Sequence, residues 1–270
     1  MGKINGVGAA INGVGCAQQW EIRSTVDLES IVCTASDGAG IVTVGNSDWT
    51  GTYAAFGHTP AVKPGDSFSF EGALSNGSAA YGTSMVKRVQ IFWPVEAGQS
   101  IYHQVLFEGN GALAFKTNST VADSSTPLPV TAKGCGLTIG ATSLPVRQMI
   151  LDIWKTNEFY NDTDTAGVTA RLAGNLFAKF QADCYFDDWT DLPTQGSFSA
   201  LQFGVGGGAY WALTYGVFGP IVSAVQVHSG DNRSRLVMAR VGGDWSSVKT
   251  SDGTTGAITT PGGTSYWPTA

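Results

Sequence analysis

Val-Lys-Arg-Val-Gln-Ile-Phe-Trp stands at residues 86–93, and Ile-Tyr-His-Gln-Val-Leu-Phe follows at residues 101–107. Both runs are rich in β-branched and aromatic side chains, which favour extended strands. Residues 94–99 between them, Pro-Val-Glu-Ala-Gly-Gln, are typical of a hairpin connection. A second pair of such runs, at residues 224–228 and 236–241, flanks Ser-Gly-Asp-Asn at 229–232. The sequence therefore predicts a fold built mainly from antiparallel β-hairpins.

The composition agrees with a β-rich globular protein. Among 270 residues there are 36 glycines, 11% aromatic residues and only 13% charged residues. This aromatic content argues against disorder, and the glycine content argues against a helical bundle. The net charge is −6, and residues 1–135 and 136–270 each contribute −3. No segment concentrates Lys and Arg, so a protein that grips nucleic acid through its phosphates is excluded.

Several short matches recur in the same order in the two halves, at offsets of about 130 to 140 residues. Val-Gln-Ile at 89–91 matches Val-Gln-Val at 225–227, and Asp-Trp-Thr at 48–50 recurs at 188–190. Gly-Asp-Ser-Phe-Ser at 65–69 matches Gly-Ser-Phe-Ser at 196–199. Their order predicts an internal duplication, with two similar β-sandwich or β-barrel modules.

The module boundaries follow from these matches and from composition. We expect a Gly-rich N-terminal arm over residues 1–15, a first β module over 16–115 and a linker over 116–134. A second β module would span residues 135–249, followed by an extended C-terminal tail over 250–270. These assignments rest on the positions of the strand-like runs and of the Gly, Ser, Thr and Pro-rich segments between them.

One or two short helices are also predicted. Pro145 fits the first turn of a helix near 145–157, and the following apolar residues lie at helical spacing. They are Val146, Met149, Ile150, Ile153 and Trp154. A second, poorer helical segment is predicted near residues 166–173.

Familiar catalytic and cofactor motifs do not fit this sequence. The glycines of the repeated Asn-Gly-Val-Gly, at positions 6, 8, 13 and 15, lack the further residues that a dinucleotide or phosphate loop requires, and they predict an extended arm. His58 lies in a loop without a matching nucleophile, and His103 is expected at a half-exposed strand position. We therefore expect no catalytic residue, no cofactor and no metal.

The cysteines and the acidic residues have simple structural interpretations. Cys16, Cys33, Cys135 and Cys184 are widely spaced, which favours buried free thiols over a metal or disulfide framework. The aspartates at 183, 187, 188 and 191 are typical of turns. The alternative interpretation is a glycoside hydrolase, whose two carboxylates must flank a sugar.

No targeting signal is recognised in the sequence, and we expect synthesis in the cytoplasm. Residues 1–8 lack a continuous apolar segment, so no secretory signal is predicted. Residues 192–230 carry no Asp, Glu, Lys or Arg, but glycines and Pro220 interrupt them. A membrane-spanning helix needs about 20 predominantly apolar residues. We therefore expect no membrane insertion.

Three segments of the first half carry a family resemblance. They are residues 46–53 (NSDWTGTY) with 57–60 (GHTP), residues 64–70 (PGDSFSF) and residues 107–113 (FEGNGAL). Over residues 13–115, and more thinly over 175–245, the chain resembles tail tube and related virion proteins of long-tailed bacteriophages. This resemblance implies a non-enzymatic structural protein of the virion tail, assembled in the cytoplasm of the bacterial host. Its subunits would form rings that stack into a tube through which DNA passes.

The resemblance and the duplication together suggest roles for particular residues. A duplicated chain implies a ring of three chains, whereas a single-module chain implies six. Other tail proteins would be further partners, and DNA would pass through transiently without being bound specifically. Trp49, Trp189, Asp48 and Asp188 are candidate structural anchors. Candidate contacts between rings are Gly6, Gly8, Gly13, Gly15 and His58.

Two other functions compete with the tail tube. One is another virion component, either a capsid decoration protein or a baseplate or adhesin subunit, which would form compact trimers. The other is a carbohydrate-binding β-sandwich that uses exposed Trp and Tyr side chains as stacking platforms.

Overall fold

The computed structural model describes the backbone of most of the chain. The described residues are 2–7, 10–32, 40–57, 60–121, 131–133, 135–139, 142–161, 164–165, 167–185, 198–206, 209–226, 232–241 and 248–251. Side chains are described for most of these residues between 10 and 185. The predicted linker 116–134 and tail 250–270 lie largely outside these ranges.

Fifteen β-strands account for most of the described residues. In chain order they are β1 (Gly2–Val7), β2 (Ala17–Val32), β3 (Gly40–Phe56), β4 (Ser67–Ala73), β5 (Ala79–Trp93), β6 (Tyr102–Gly109), β7 (Ala114–Lys116), β8 (Leu137–Ile139), β9 (Thr142–Leu144), β10 (Val146–Tyr160), β11 (Ala170–Tyr185), β12 (Phe198–Gly206), β13 (Ala209–Gln226), β14 (Asn232–Val241) and β15 (Val248–Ser251). The predicted mainly β fold is confirmed.

The predicted helices are wrong. Residues 145–157 fall almost entirely in β10, and the described part of 166–173 comprises a turn and the start of β11. The described residues contain no helix. β10 carries apolar residues on both faces, since Met149, Leu151 and Ile153 are buried on one and Ile150 and Trp154 are half-buried on the other. In such a run the spacings i, i+3 and i, i+4 occur together with strand alternation, and periodicity alone cannot separate helix from strand.

All of the strand pairs are antiparallel, and the strands form a single path. Its order is β1-β2-β3-β6-β5-β10-β11-β14-β13-β12-β8-β9, with β4 and β7 on β5 and β15 on β13. The two predicted hairpin pairs are confirmed, as β5 with β6 and β13 with β14. Residues Arg88–Trp93 of β5 pair with Met149–Trp154 of β10, and this pairing joins the predicted first and second modules.

An aromatic cluster forms the core of the first half. Strand alternation sends Trp20, Trp49, Tyr53 and Phe107 to one face, where Phe68 and Phe70 of β4 meet them. Glycines let the backbone approach these rings closely. A Cβ on Gly109 would collide with the Trp49 indole, and one on Gly82 would lie 2.8 Å from it. Those positions therefore require glycine.

The N-terminal segment is attached to the sheet at two places. β1 pairs with β2 over Gln19–Ser24, at one end of the sheet path. Residues 10–14 then run along β4, where the Asn12 amide donates to the Glu71 carbonyl at 3.0 Å. Ile11 and Val14 are buried there.

The β2–β3 hairpin and the β10–β11 hairpin are long, and each contains two irregularities in register. In β2–β3 these fall between Ala17 and Gln19 and between Val26 and Leu28. In β10–β11 they fall between Val146 and Gln148 and between Lys155 and Asn157. We call β2–β3 the first hairpin and β10–β11 the second hairpin.

Candidate functional site

Arg171 is the centre of a buried ion cluster that joins the two halves of the chain. Its guanidinium donates to both carboxylate oxygens of Asp48, through Nη1 at 2.9 Å and Nη2 at 2.5 Å. Nη1 also donates to the Gly109 carbonyl, and Nε lies 3.3 Å from Glu108. The Arg171 residue is only 7% exposed. Bidentate pairing of this kind fixes both distance and orientation.

The neighbours of Arg171 complete the cluster. The Lys87 ammonium lies 2.7 Å from Glu108 Oε1, and the Asn157 side chain donates to Oε2 at 3.1 Å. The Arg171 amide donates to Asn110 Oδ1 at 2.8 Å. Two carboxylates thus face two cations, and the charges balance. This arrangement suits a clamp between β11 and the β3–β6 region better than acid or base catalysis, because each carboxylate is held by a cation.

A polar cleft of about 480 Å³ opens beside the ion cluster. Thr25, Asp27 and Asn46 of the first hairpin line one side of it, and Phe159, Asn161 and Thr169 of the second hairpin region line another. The two hairpins also touch directly, since Ser47 and Val168 form a parallel bridge and the Ser47 amide donates to the Gly167 carbonyl at 2.8 Å. The end of the second hairpin therefore rests on β3.

The end of the first hairpin has no such cover among the described residues. Residues 26–30 and 42–46, which we call the distal hairpin, expose large apolar side chains. Leu28 is 67% exposed, Val42 is 61% exposed and Val44 is 74% exposed. Leu28 and Val44 are register partners, so their side chains share one face of the hairpin. Contiguous exposed apolar residues of this kind mark interaction surfaces.

Two strand edges are also relevant to assembly. β1 pairs with β2 only, so its second edge is open among the described strands. Residues 218–226 of β13 pair with β14 on one side, and no described strand pairs with their other side. Unpaired edges present rows of free amide and carbonyl groups to another chain.

The candidate anchors and ring contacts are placed as follows. Trp49 is buried, and its indole donates to the Gly111 carbonyl at 2.8 Å, while Asp48 holds Arg171. Gly6 lies in β1, and Gly13 and Gly15 lie in the turns before β2, with Gly13 at a φ of 72°. Asp188, Trp189, Gly8 and His58 lie outside the described residues.

His103 is not half-exposed as predicted, because it is only 3% exposed. Its strand alternates buried and half-buried residues, and His103 falls on the core face beside Tyr53. The ring Nδ1 lies 2.9 Å from the Gly57 carbonyl, and Nε2 has no partner among the described groups. Burial lowers the pKa of His103, although the Gly57 contact opposes this shift. The imidazole is therefore neutral at neutral pH.

No disulfide joins the described cysteines. Cys135 and Cys184 are buried, and burial raises the pKa of each to about 11, whereas Cys16 is half-buried. Cys33 lies outside the described residues. A protonated, buried thiol is neither a nucleophile nor a metal ligand.

The described part of the chain offers few residues for metal binding, glycoside hydrolysis or sugar stacking. No group of three or more His, Cys, Asp or Glu side chains is placed there to hold a metal ion. Asp183 accepts a hydrogen bond from Gln148, and the other three aspartates of the 183–191 cluster are not described. The four tryptophans whose side chains are described are buried or half-buried, so none of them forms an exposed stacking platform. Among the described residues, no helix has the length and hydrophobicity of a membrane span.

Sequence reasoning missed two important features. Nothing around Arg171 distinguishes it from other charged residues of the sequence, since its partners lie more than 60 residues away. The first hairpin did leave a signal, because Thr-Val-Asp-Leu-Glu-Ser-Ile-Val at 25–32 and Ile-Val-Thr-Val at 41–44 are strand-like and flank Ser-Asp-Gly at 36–38.

Comparison with known proteins does not add to this description. Neither a protein-family model nor a curated protein sequence matches the chain significantly.

Proposed function

We propose that this chain is the tube-forming subunit of a bacteriophage tail, which assembles with copies of itself into stacked rings through which DNA passes. In this role it acts in the virion tail, contacts other tail proteins and performs no catalysis. The sequence resemblance described above suggests this role. The observation that carries it is a repeated strand arrangement whose outer borders are incompletely paired.

The strand order supports an internal repeat. In the first half the sheet order is β2-β3-β6-β5, and β4 and β7 also pair with β5. In the second half β10, β11, β14 and β13 are neighbours, and β12 and β15 pair with β13. Each strand of the first set has its counterpart in the second at the same place in chain order. This supports an internal duplication with two similar β modules.

The register supports the same conclusion more strictly. The irregularity at Ala17 and Gln19 recurs at Val146 and Gln148, and the one at Val26 and Leu28 recurs at Lys155 and Asn157, with the same offset in residue number. The opposing strands keep this offset as well, because Ala55 and Ala54 correspond to Cys184 and Asp183. This constant difference in residue number, which takes 17 to 146 and 55 to 184, we call the hairpin offset.

The glycines at the second irregularity also correspond. Gly45 faces Asp27, and at the hairpin offset Gly174 faces Thr156. A Cβ on either glycine would crowd the opposite strand, with 3.1 Å to Asp27 Cβ and 2.6 Å to Thr156 Oγ1. β-Bulges with such glycines are specific features of a sheet, so their repetition is not expected by chance.

A duplicated sheet with open borders is suited to polymerisation. Soluble monomers protect their strand edges and cover large apolar patches. This chain instead leaves one edge of residues 218–226 unpaired among the described strands and exposes Leu28, Val42 and Val44. Neighbouring copies would satisfy both features.

The charge is compatible with a DNA conduit. Three chains of net charge −6 give a ring of −18. A ring of one sign repels phosphates of the same sign, so DNA would slide through the lumen without adhering to it.

Negative-stain electron microscopy of the purified chain over a concentration series tests the proposal. We expect rings and, at higher concentration, tubes. Discrete trimers that never stack would favour a capsid decoration or baseplate subunit instead. The proposal would be contradicted if the protein stayed monomeric at high concentration even after the pairing of β1 with β2 had been disrupted by mutation.

A further inference from the structure

We infer that the junction between neighbouring copies repeats the junction between β5 and β10 within one chain. Residues 223–226 of β13 in one copy would pair antiparallel with residues 20–23 of β2 in the next, in the place that β1 occupies in the single chain. This inference rests on the proposed function and names the surfaces and the partner, a second copy of this chain.

The internal junction supplies the register. Within the chain, Met149 to Trp154 of β10 pair with Trp93 to Arg88 of β5. At the hairpin offset, Met149 corresponds to Trp20, and Trp154 corresponds to Thr25. The receiving edge of the junction is therefore residues 20–25.

The donating edge follows from the neighbouring strands. Phe56 pairs with Tyr102, which pairs with Phe92. At the hairpin offset, Phe56 corresponds to Tyr185. Tyr185 pairs with Arg233 of β14, and Arg233 pairs with Val225 of β13. Phe92 thus corresponds to Val225, and residues 90–93 correspond to 223–226, which follow the register irregularity between Ile221 and Ser223. The expected register places Trp20 opposite Gln226 and Arg23 opposite Ser223.

The edge contributed by β13 is unpaired among the described strands. The edge of β2 is covered by β1, whose sequence has a low β propensity. β12 pairs with β13 only as far as Val217, so residues 221–226 keep one side unpaired among the described strands. β1 holds residues 19–24 of β2 with the sequence Gly-Lys-Ile-Asn-Gly-Val. Glycine and asparagine disfavour strands, whereas Ile-Val-Ser-Ala-Val-Gln at 221–226 is rich in β-branched residues. Exchange of β1 for a neighbour's β13 therefore replaces a weaker strand with a stronger one.

The distal hairpin provides an independent observation in favour of the same junction. At the hairpin offset, Arg171 in the second hairpin corresponds to Val42 in the first. Arg171 is 7% exposed because its hairpin rests on the preceding module, whereas Val42 is 61% exposed. If the junction is repeated between copies, the distal hairpin rests on β11 of the neighbouring copy. Val42 is then covered, as Arg171 is within the chain.

A disulfide between β1 and β2 tests whether β1 must leave. Lys3 and Arg23 are register partners, and directly opposed residues of antiparallel strands lie within the range that a disulfide spans. We expect the oxidised double variant Lys3→Cys with Arg23→Cys to remain unassembled, and the reduced form to assemble like the unmodified chain. The single variant Lys3→Cys is the control for cysteine chemistry alone.

A second cysteine pair tests the register between copies. Arg23→Cys with Ser223→Cys should form covalent multimers on a non-reducing gel after oxidation of assembled protein. Arg23→Cys with Val225→Cys is the matched control, since it shifts the second cysteine two residues along the same face and out of disulfide range. Each single variant controls for the native thiols, of which Cys16 is half-buried.

The outcomes separate this inference from the proposed function. Suppose that the unmodified chain forms tubes. The inference is then overturned if the oxidised Lys3→Cys, Arg23→Cys variant also assembles, or if both intermolecular cysteine pairs crosslink equally. In either case the proposed function still stands. If the unmodified chain is monomeric, the variant Ile4→Pro with Asn5→Pro decides, because adjacent amides of a strand point to opposite sides and one prolyl ring must disrupt the β1–β2 pairing. Assembly of that variant supports both proposals, and its failure to assemble overturns both.

Discussion

Arg171 and Asp48 lie 123 residues apart in the chain and form a bidentate ion pair in the fold, with Nη1 2.9 Å from Oδ1 and Nη2 2.5 Å from Oδ2. Since Arg171 belongs to the second half of the chain and Asp48 to the first, this pair fixes the second hairpin on strands of the first half. The stabilities of the two halves are therefore coupled.

Replacement of Arg171 by methionine should destabilise the fold strongly. The change leaves Asp48 without its cation and Glu108 with Lys87 alone. Because the Asp48 side chain is 34% exposed, we expect a loss at or below the lower end of the about 3–5 kcal/mol that breaking a buried pair costs. Urea unfolding measures the loss. Arg147→Met is the matched control, because Arg147 pairs with the exposed Glu96 and such pairs contribute about 0.2–1 kcal/mol. Equal effects of the two variants would mean that the ion cluster is not a clamp.

Gly109→Ala should lower the free energy of unfolding by about 1–3 kcal/mol, the usual cost of overpacking a dense core. The added methyl group would occupy space that the Trp49 indole fills. Thermal or chemical unfolding measures the change, and the near-ultraviolet circular dichroism of Trp49 should alter with it. Gly136→Ala is the control, since nothing lies within 4 Å of a Cβ at that position. A Gly109→Ala protein as stable as Gly136→Ala would contradict this account of the aromatic core.

His103 should make stability depend on pH near neutrality. Burial lowers its pKa in the folded state below the ordinary value of 6.5, so between these two values the unfolded state binds more protons. The contribution of His103 is therefore fully present above about pH 6.5, and it declines as the pH falls through the lowered pKa.

Urea unfolding at pH 7.5 and pH 5.5 measures this dependence. His103→Gln removes the titrating group and keeps an amide donor for the Gly57 carbonyl, so the difference between the two pH values should shrink. An unchanged difference would show that other groups, such as the carboxylates, carry the whole pH dependence.

Val42→Asp should impair assembly without unfolding the single chain. Val42 is 61% exposed, so a charge there remains hydrated in the monomer, but its counterpart Arg171 is buried, so the charge would be buried between copies at the proposed junction. We expect the critical concentration for assembly to rise at least about tenfold, equivalent to about 1.4 kcal/mol. Light scattering across a dilution series measures it.

Thr43→Asp is the control for Val42→Asp, because neighbouring residues of a strand point to opposite faces. It adds the same charge at an exposed position on the other face of the distal hairpin. If Thr43→Asp impairs assembly as much as Val42→Asp, the effect is one of net charge and the apolar face of the distal hairpin is not the contact.

Local sequence patterns predicted the strands well where apolar and polar residues alternate clearly. β6 alternates throughout, and its pairing with β5 was expected from residues 86–107 alone. β10 was misassigned as a helix because Ile150 and Trp154 add apolar residues to the face opposite Met149, Leu151 and Ile153, so its pattern carries little information about period. His103 was misplaced for a related reason, since only the register of a strand decides which of its faces is buried.

The duplication that we propose was suggested by short sequence matches, but the strand pairing favours a different alignment. The pairing registers equate Trp49 with Ala178, whereas sequence matching paired Trp49 with Trp189, a residue outside the described ranges. They likewise equate residues 90–93 with 223–226, three residues earlier than the match of Val-Gln-Ile with Val-Gln-Val implied. Backbone hydrogen bonding tolerates side-chain substitution, so the spacing of bulges persists where residue identity does not. The Arg171 cluster was not predictable, because it depends on which strands become neighbours.

The pairing of β5 with β10 means that the two halves are joined through the sheet itself as well as through the peptide that connects them. Six register pairs, from Arg88 with Trp154 to Trp93 with Met149, hold them together, and the Arg171 clamp adds to these. The chain should therefore tolerate being divided between Val121 and Thr131 into two polypeptides. Co-expressed, the two pieces would reconstitute the fold by complementation, and each could carry its own label or cargo.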